Sequence, residues 1–172
     1  MPSRHQLAPA SAAAPFVDPR GPRVAAALTT VVLAAALAVG GTLQTVLLLG
    51  QAVVFALGAA GRSPYGVLYA RLVRPRLAAP AELEDARPVR FAQAVGLAFA
   101  AVALLGVAAS AGPVTVVATA FALAAAFLNA VFGLCLGCEA YLLLRRAISG
   151  SSFSRTVPNP RTTTHTRTEV HA

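Results

Sequence analysis

Charge is scarce in this chain. Asp, Glu, Lys and Arg make up 12% of it, against 57% hydrophobic residues. That balance excludes an ordinary water-soluble domain, in which about a quarter of the residues are charged. Lysine is missing altogether, and all 14 basic residues are arginine. With so much alanine beside it, this reads as the imprint of a GC-rich genome and not as special arginine chemistry. The formal charge of +8 does not indicate a nucleic-acid binder, because the arginines flank apolar runs and no aromatic–basic interleaving occurs. Anionic lipid and membrane topology account for them better. Only two cysteines are present, too few for a secreted disulfide framework. The three histidines, His5, His165 and His171, lie in the tails. A secretory leader is not expected either. "MPSRHQLAPASAAAPFVDPRGPR" has no compact apolar region behind a basic start, so the first hydrophobic span reads as an uncleaved anchor.

What the chain does have is long runs of Ala, Val and Leu. Val24 to Gly61 would make about 57 Å of helix, roughly twice the hydrocarbon thickness of a bilayer. Gly40-Gly41 is the natural break, giving spans of about 24–40 and 43–61. Phe91 to Gly112 is a third span. Pro113 restarts the chain, and about 20 further residues reach Leu134, with helix expected to continue to about 147. The expected fold is an all-α, four-helix transmembrane bundle with a flexible tail over 1–22 and a disordered one over 148–172.

One polar stretch, 61–90, separates the second and third spans. Ser63-Pro64 is a helix start, a capping hydroxyl followed by proline. Tyr65, Leu68, Tyr69, Leu72 and Val73 then share a face, with Arg71 and Arg74 opposite. This reads as a short helix lying in the headgroup region, the competing reading being a helix packed on the bundle. Glu82, Glu84 and Asp85 sit among arginines and are expected only to hold the loop.

Arginine placement sets the orientation. Arginines occur before the first span, six times in 62–90, and after the last span. The short connections near 40–42 and 110–113 have none. By the positive-inside rule both termini face the cytoplasm of a cell inner (plasma) membrane. A five-span alternative would need crossings of about 15 residues, which are too short.

"GLCLGCEAYLLLRR", residues 133–146, then falls on the cytoplasmic side. On a continuous helix Cys135, Cys138 and Glu139 share a face. Cys-x-x-Cys supplies an attacking and a resolving thiol, Cys135 and Cys138 respectively, with Glu139 to carry protons. Inside an apolar helix, burial would raise the thiol pKa. A break at Gly133 would instead make Cys135 a fresh helix start. A straight helix from Val114 to Arg146 would be about 50 Å long and overshoot the core, which favours the break. Cytosolic thiols are normally kept reduced, which weighs against a structural disulfide. Gly133 and Gly137 are also explained as small residues that let helices approach. Inert cysteines are the competing reading of the pair. No metal or cofactor is expected, since structural zinc wants four ligands and only a homo-oligomer pooling two pairs could supply them. Asn129 reads as an interhelical hydrogen-bonding residue. Gln44, Gln51 and Gln93 lie towards span ends and call for no functional account. No span carries the midplane charges a transport pathway would want.

The motifs "VDPRGPR", "RSPYG", "RPRL", "PAELEDARPVRFAQAVG" and "GLCLGCEAYLLLRR" resemble those of an uncharacterised bacterial membrane family, domain of unknown function 4395, over roughly residues 16–147. The resemblance implies a small multi-span membrane protein with a Cys-x-x-Cys-Glu-x-Tyr motif, here Cys135, Cys138, Glu139 and Tyr141, and no established activity. Two functions follow as expectations. One is a cytoplasmic-face dithiol exchanging electrons or sulfur with a thioredoxin-like or sulfur-transfer protein. The other is a non-enzymatic scaffold docking a cytoplasmic partner through the 62–90 loop and basic tail.

Overall fold

A computed structural model describes residues 16–78 and 84–149. The tails expected to be unstructured lie largely outside these residues, as does Glu82. Elements follow in the order β1 (Phe16–Val17), α1 (Arg20–Val39), α2 (Gly41–Ala59), α3 (Pro64–Leu72), a 3-10 turn at Arg74–Arg76, β2 (Glu84–Asp85), α4 (Ala86–Ala108), α5 (Gly112–Phe132) and α6 (Leu136–Ser149). α1, α2, α4 and α5 are long and apolar enough to cross a membrane. Each has about the 20 residues that a 30 Å hydrocarbon layer requires.

The four long helices pack α1 on α5, α2 on α4, α4 on α5 and α1 on α2. Their shared core is Leu33, Ala36, Leu48, Ala103, Ala118 and Ala122. Alanines dominate it because in lipid the helices gain by close backbone approach, not by hiding apolar surface from water. Larger side chains such as Val31, Leu49, Val53, Leu105 and Phe121 point outward and are exposed in the isolated chain, as expected of lipid-facing positions. The α1–α2 and α4–α5 turns lie at one end of the bundle. α3, α6, the strands and every described arginine lie at the other.

Residues 16–22, expected to belong to a flexible tail, are ordered into β1 and the first turn of α1. β1 pairs antiparallel with β2, Phe16 opposite Asp85 and Val17 opposite Glu84. Asp18 anchors the entry: its carboxylate accepts from the backbone N–H of Arg20 at 3.0 Å and from the Tyr69 hydroxyl at 2.8 Å. These partners are remote in sequence, so local composition alone could not show them.

α3 starts where the Ser-Pro signal places it, with the Ser63 hydroxyl accepting from the Gly66 N–H at 3.2 Å. Its apolar stripe divides. Tyr69 is buried against α1, while Leu68 and Leu72 are exposed. The helix therefore both packs on the bundle and keeps an apolar edge towards the interface.

Candidate functional site at the start of the last helix

The long helix that begins at Gly112 stops at Phe132. Gly133 takes a left-handed conformation, φ 71°, which costs glycine nothing and costs other residues about 1–2 kcal/mol. Its N–H donates to the Asn129 carbonyl, and that of Leu134 to Leu128, closing the helix end as a left-handed cap. α6 begins three residues later. The residue just before it is Cys135, whose carbonyl accepts the first helical bond, from Glu139 N–H at 3.0 Å. The Cys138 N–H donates to the Cys135 sulfur at 3.3 Å. Continuous helix to about 147 is thus replaced by a break and a restart, in the direction that the overshoot favoured.

The two sulfurs are joined by a disulfide, with Cα atoms 5.2 Å apart. This departs from the reduced pair expected of a cytosolic site. The physical reason is local: a cysteine preceding a helix can turn its side chain over the first turn, where the fourth residue's sulfur waits, while two sulfurs inside a regular helix diverge. Both cysteines are half-buried and Glu139 is exposed, as are the flanking Leu134 and Leu136. The structure therefore brings together all three predicted site residues.

Two contacts hold α6 against α4, and a third lies within α6. A Cβ built on Gly137 would lie 2.6 Å from the Ala92 Cβ, so α6 and α4 touch backbone to side chain at the residue between the cysteines. The Tyr141 ring packs on Phe91 with centroids 5.6 Å apart, and the Arg145 guanidinium lies 6.0 Å from the Tyr141 ring centre. On the other side, Arg23 donates to the Val131 carbonyl at 3.4 Å and lies over Gly133. A cation there complements the negative end of α5.

A family model described as Domain of unknown function (DUF4395) matches residues 17–146. The chain belongs to that family. No curated protein and no solved structure gives a significant match. The matched segment spans the four long helices and the Cys135–Cys138 turn.

Elsewhere among the described residues, no buried side-chain polar atom lacks a hydrogen-bond partner. Gln51, which sequence position alone marked as unremarkable, is buried and donates to Thr29 at 3.2 Å while accepting from the Tyr65 hydroxyl at 3.1 Å. Burial raises the Tyr65 pKa above the ordinary phenol value. Among the described residues Asn129 shows no interhelical side-chain bond; what it contributes is the carbonyl that caps α5. A cavity of about 410 Å³ opens at the far end among Gly41, Thr42, Gln44, Ser110 and Thr115, with no charged residue in its lining. No group of three or more metal-ligating side chains occurs among the described residues.

Proposed function

We propose that this protein is a membrane-embedded dithiol that carries out thiol–disulfide exchange with a soluble, thioredoxin-like partner at the cytoplasmic face of the plasma (inner) membrane. The observation that carries the reading is the position of Cys135 at the N-terminus of α6, with the Cys138 amide directed at its sulfur. First-turn amides and the helix dipole stabilise a thiolate there. Support for the orientation comes from the arginines, all of which lie at the α6 end among the described residues. In a reducing compartment a disulfide is usually transient and catalytic, so a half-buried, helix-capping pair fits turnover better than structural bracing.

Starting from the disulfide, a partner thiolate attacks the Cys135 sulfur. The Cys135–Cys138 bond breaks and Cys138 leaves as a thiolate, which takes a proton delivered through Glu139. The partner's second thiolate then attacks the partner sulfur of the mixed disulfide and releases Cys135 as a thiolate. The partner is oxidised to a disulfide, and two electrons reside on the Cys135–Cys138 dithiol. The reverse sequence reduces a partner disulfide.

Trapping tests this directly. With Cys138→Ser, the Cys135 mixed disulfide has lost its resolving thiol on this chain and can be released only by the partner's own second thiol, so a covalent adduct with a soluble protein should accumulate in cells. The Cys135→Ser chain should form far less. Equal trapping by both, or by neither, removes the exchange reading, and full function of the Cys135→Ser, Cys138→Ser chain would leave the scaffold as the better account. A persulfide recovered on Cys135 would redirect the reading to sulfur transfer.

A further inference from the structure

The two halves of the described chain repeat one another. Gly61, Ser63, Gly66, Tyr69 and Arg74 are spaced as Gly133, Cys135, Cys138, Tyr141 and Arg146 are. The backbones match too. Gly61 and Gly133 are both left-handed, at φ 79° and 71°. Ser63 and Cys135 each precede a short helix. Each accepts at its side chain from the N–H three residues on, Gly66 at 3.2 Å and Cys138 at 3.3 Å. Each accepts at its carbonyl from the fourth, Val67 at 3.1 Å and Glu139 at 3.0 Å. Exposure agrees through the turn, with Gly61 and Gly133 exposed, Ser63 and Cys135 half-buried, Gly66 and Cys138 half-buried, and differs at the tyrosines, Tyr69 being buried and Tyr141 half-buried.

Upstream the correspondence continues. Asp18 and Asp85 each accept from the N–H two residues on, at 3.0 and 2.8 Å, at the entries to α1 and α4. Arg23 lies over Gly133, and Arg90, which stands after Asp85 as Arg23 stands after Asp18, lies over Gly61. Each arginine thus reaches across to the other half, the reciprocal pattern a two-fold axis requires. Helix packing is reciprocal in the same way: α1 meets α5 while α2 meets α4, α3 rests on α1 while α6 rests on α4. Even the strands conform. Val17 pairs with Glu84, its own counterpart one residue before the aspartate, as an antiparallel pair on a two-fold axis must.

We propose that the chain is a fused tandem of one β–α–α–α unit, and that Ser63–Gly66 is a second, chemically silent copy of the Cys135–Cys138 site. This does not rest on the dithiol being active. It separates scaffold from chemistry: the left-handed glycine, the arginine over it, the cap and the tyrosine occur in both halves and build the turn. Cysteine, cysteine and glutamate, against Ser63, Gly66 and Val67, are what the second half alone carries. Glu139 is accordingly a residue of the site, while Arg23 is a residue of the frame.

The silent copy has the geometry of a disulfide. A Cβ built on Gly66 lies 3.4 Å from the Ser63 Cβ, beside the lower end of the range that disulfides use, about 3.5–4.5 Å. The test is Ser63→Cys with Gly66→Cys in the full chain carrying Cys135→Ser and Cys138→Ser, oxidised in membranes with oxidised glutathione. The new thiols give up two protons and two electrons, and glutathione disulfide leaves as two thiols. Closure of the new pair to the same extent as the native pair is expected, while a Leu68→Cys, Arg71→Cys control of equal spacing inside α3 stays open. A folded variant in which the 63–66 pair stays open like the control overturns the proposal. Should Gly66→Cys disturb folding, Ser63→Cys alone, a near-isosteric change, decides it. Its alkylation pKa, read in the chain carrying Cys135→Ser and Cys138→Ser, should match that of Cys135 in the Cys138→Ser chain, and a pKa that differs from it overturns the proposal. Neither arm involves a partner protein, so failure of the exchange reading leaves this result unaffected.

Discussion

The backbone N–H of Cys138 points at the sulfur of Cys135 across 3.3 Å. That relationship exists only because three residues, Gly133 to Cys135, separate the end of α5 from the start of α6. In a continuous helix the same N–H would be committed to the Leu134 carbonyl, four residues back. Thiolate stabilisation at Cys135 is therefore a property of the Gly133 turn.

Replacing Gly133 by alanine should then act on both stability and reactivity. A Cβ at Gly133 meets nothing closer than the Arg23 guanidinium at 3.6 Å, so the cost is the left-handed backbone alone, about 1–2 kcal/mol. Gly61→Ala should cost more, because its Cβ would lie 2.5 Å from the Arg90 guanidinium and displace it. Thermal unfolding in detergent checks the order. Alkylation of Cys135 against pH in the Cys138→Ser background checks the chemistry. Gly133→Ala should move its pKa up towards about 8.5. No movement would disconnect the turn from the thiol.

Gly137 tests whether α6 must sit against α4. A methyl there would lie 2.6 Å from the Ala92 Cβ and 2.7 Å from its Cα, closer than packed carbons come. Overpacking of this kind costs about 1–3 kcal/mol. Ala92→Gly should recover part of the loss and no more, since the Cα remains in the way. Additive losses in the double variant would mean that the two residues do not meet.

Much of this was readable from sequence because it is local. Span length and apolar content locate four helices without reference to partners. Gly133 could be suspected because a helix running on to Arg146 would leave the hydrocarbon layer. Ser63-Pro64 announced α3 through its own cap. What stayed hidden depends on residues far apart in sequence. The Asp18–Tyr69 tie, the β1–β2 pair and the Thr29–Gln51–Tyr65 ladder each join segments whose proximity only the fold creates. The α3 stripe was legible as a periodicity, but which of its residues would meet α1 was not. At the site, residue types were plain, whereas the choice between a buried thiol and a capping thiol depended on one glycine's backbone.

The Asp18–Tyr69 contact predicts an acid limit. Burial on its own would raise the Asp18 pKa. The Arg20 N–H, the Tyr69 hydroxyl and the Arg20 and Arg74 charges outweigh it and hold the carboxyl below its ordinary value of 3.8. A folded-state pKa below the unfolded one means stability present above about 3.8 and lost as pH falls through the folded value. Melting temperatures of the wild-type chain should therefore show no Asp18-linked change between pH 7 and 5, then drop below pH 4. Asp18→Asn should lower the neutral-pH melting temperature and flatten that drop. An unchanged acid limb in Asp18→Asn would assign it to other carboxylates.

Orientation is the remaining premise of the exchange chemistry, and it has a direct measurement. Among the described residues, arginines gather at the end that carries α3 and α6, while the Gly40 and Ser110–Ala111 turns at the other end have none. Basic residues resist translocation, so under the proposed orientation the arginine end faces the cytoplasm. Reporters inserted near Thr42 or at Gly112 should register the exterior, and reporters fused at either terminus the cytoplasm. Introducing arginines beside Gly40 should weaken that bias without altering the helices. A cytoplasmic signal from the Gly112 insertion would put the Cys135–Cys138 pair on the outer face. The disulfide would then be stable in its compartment, and bracing of the α6 turn would replace exchange as its role.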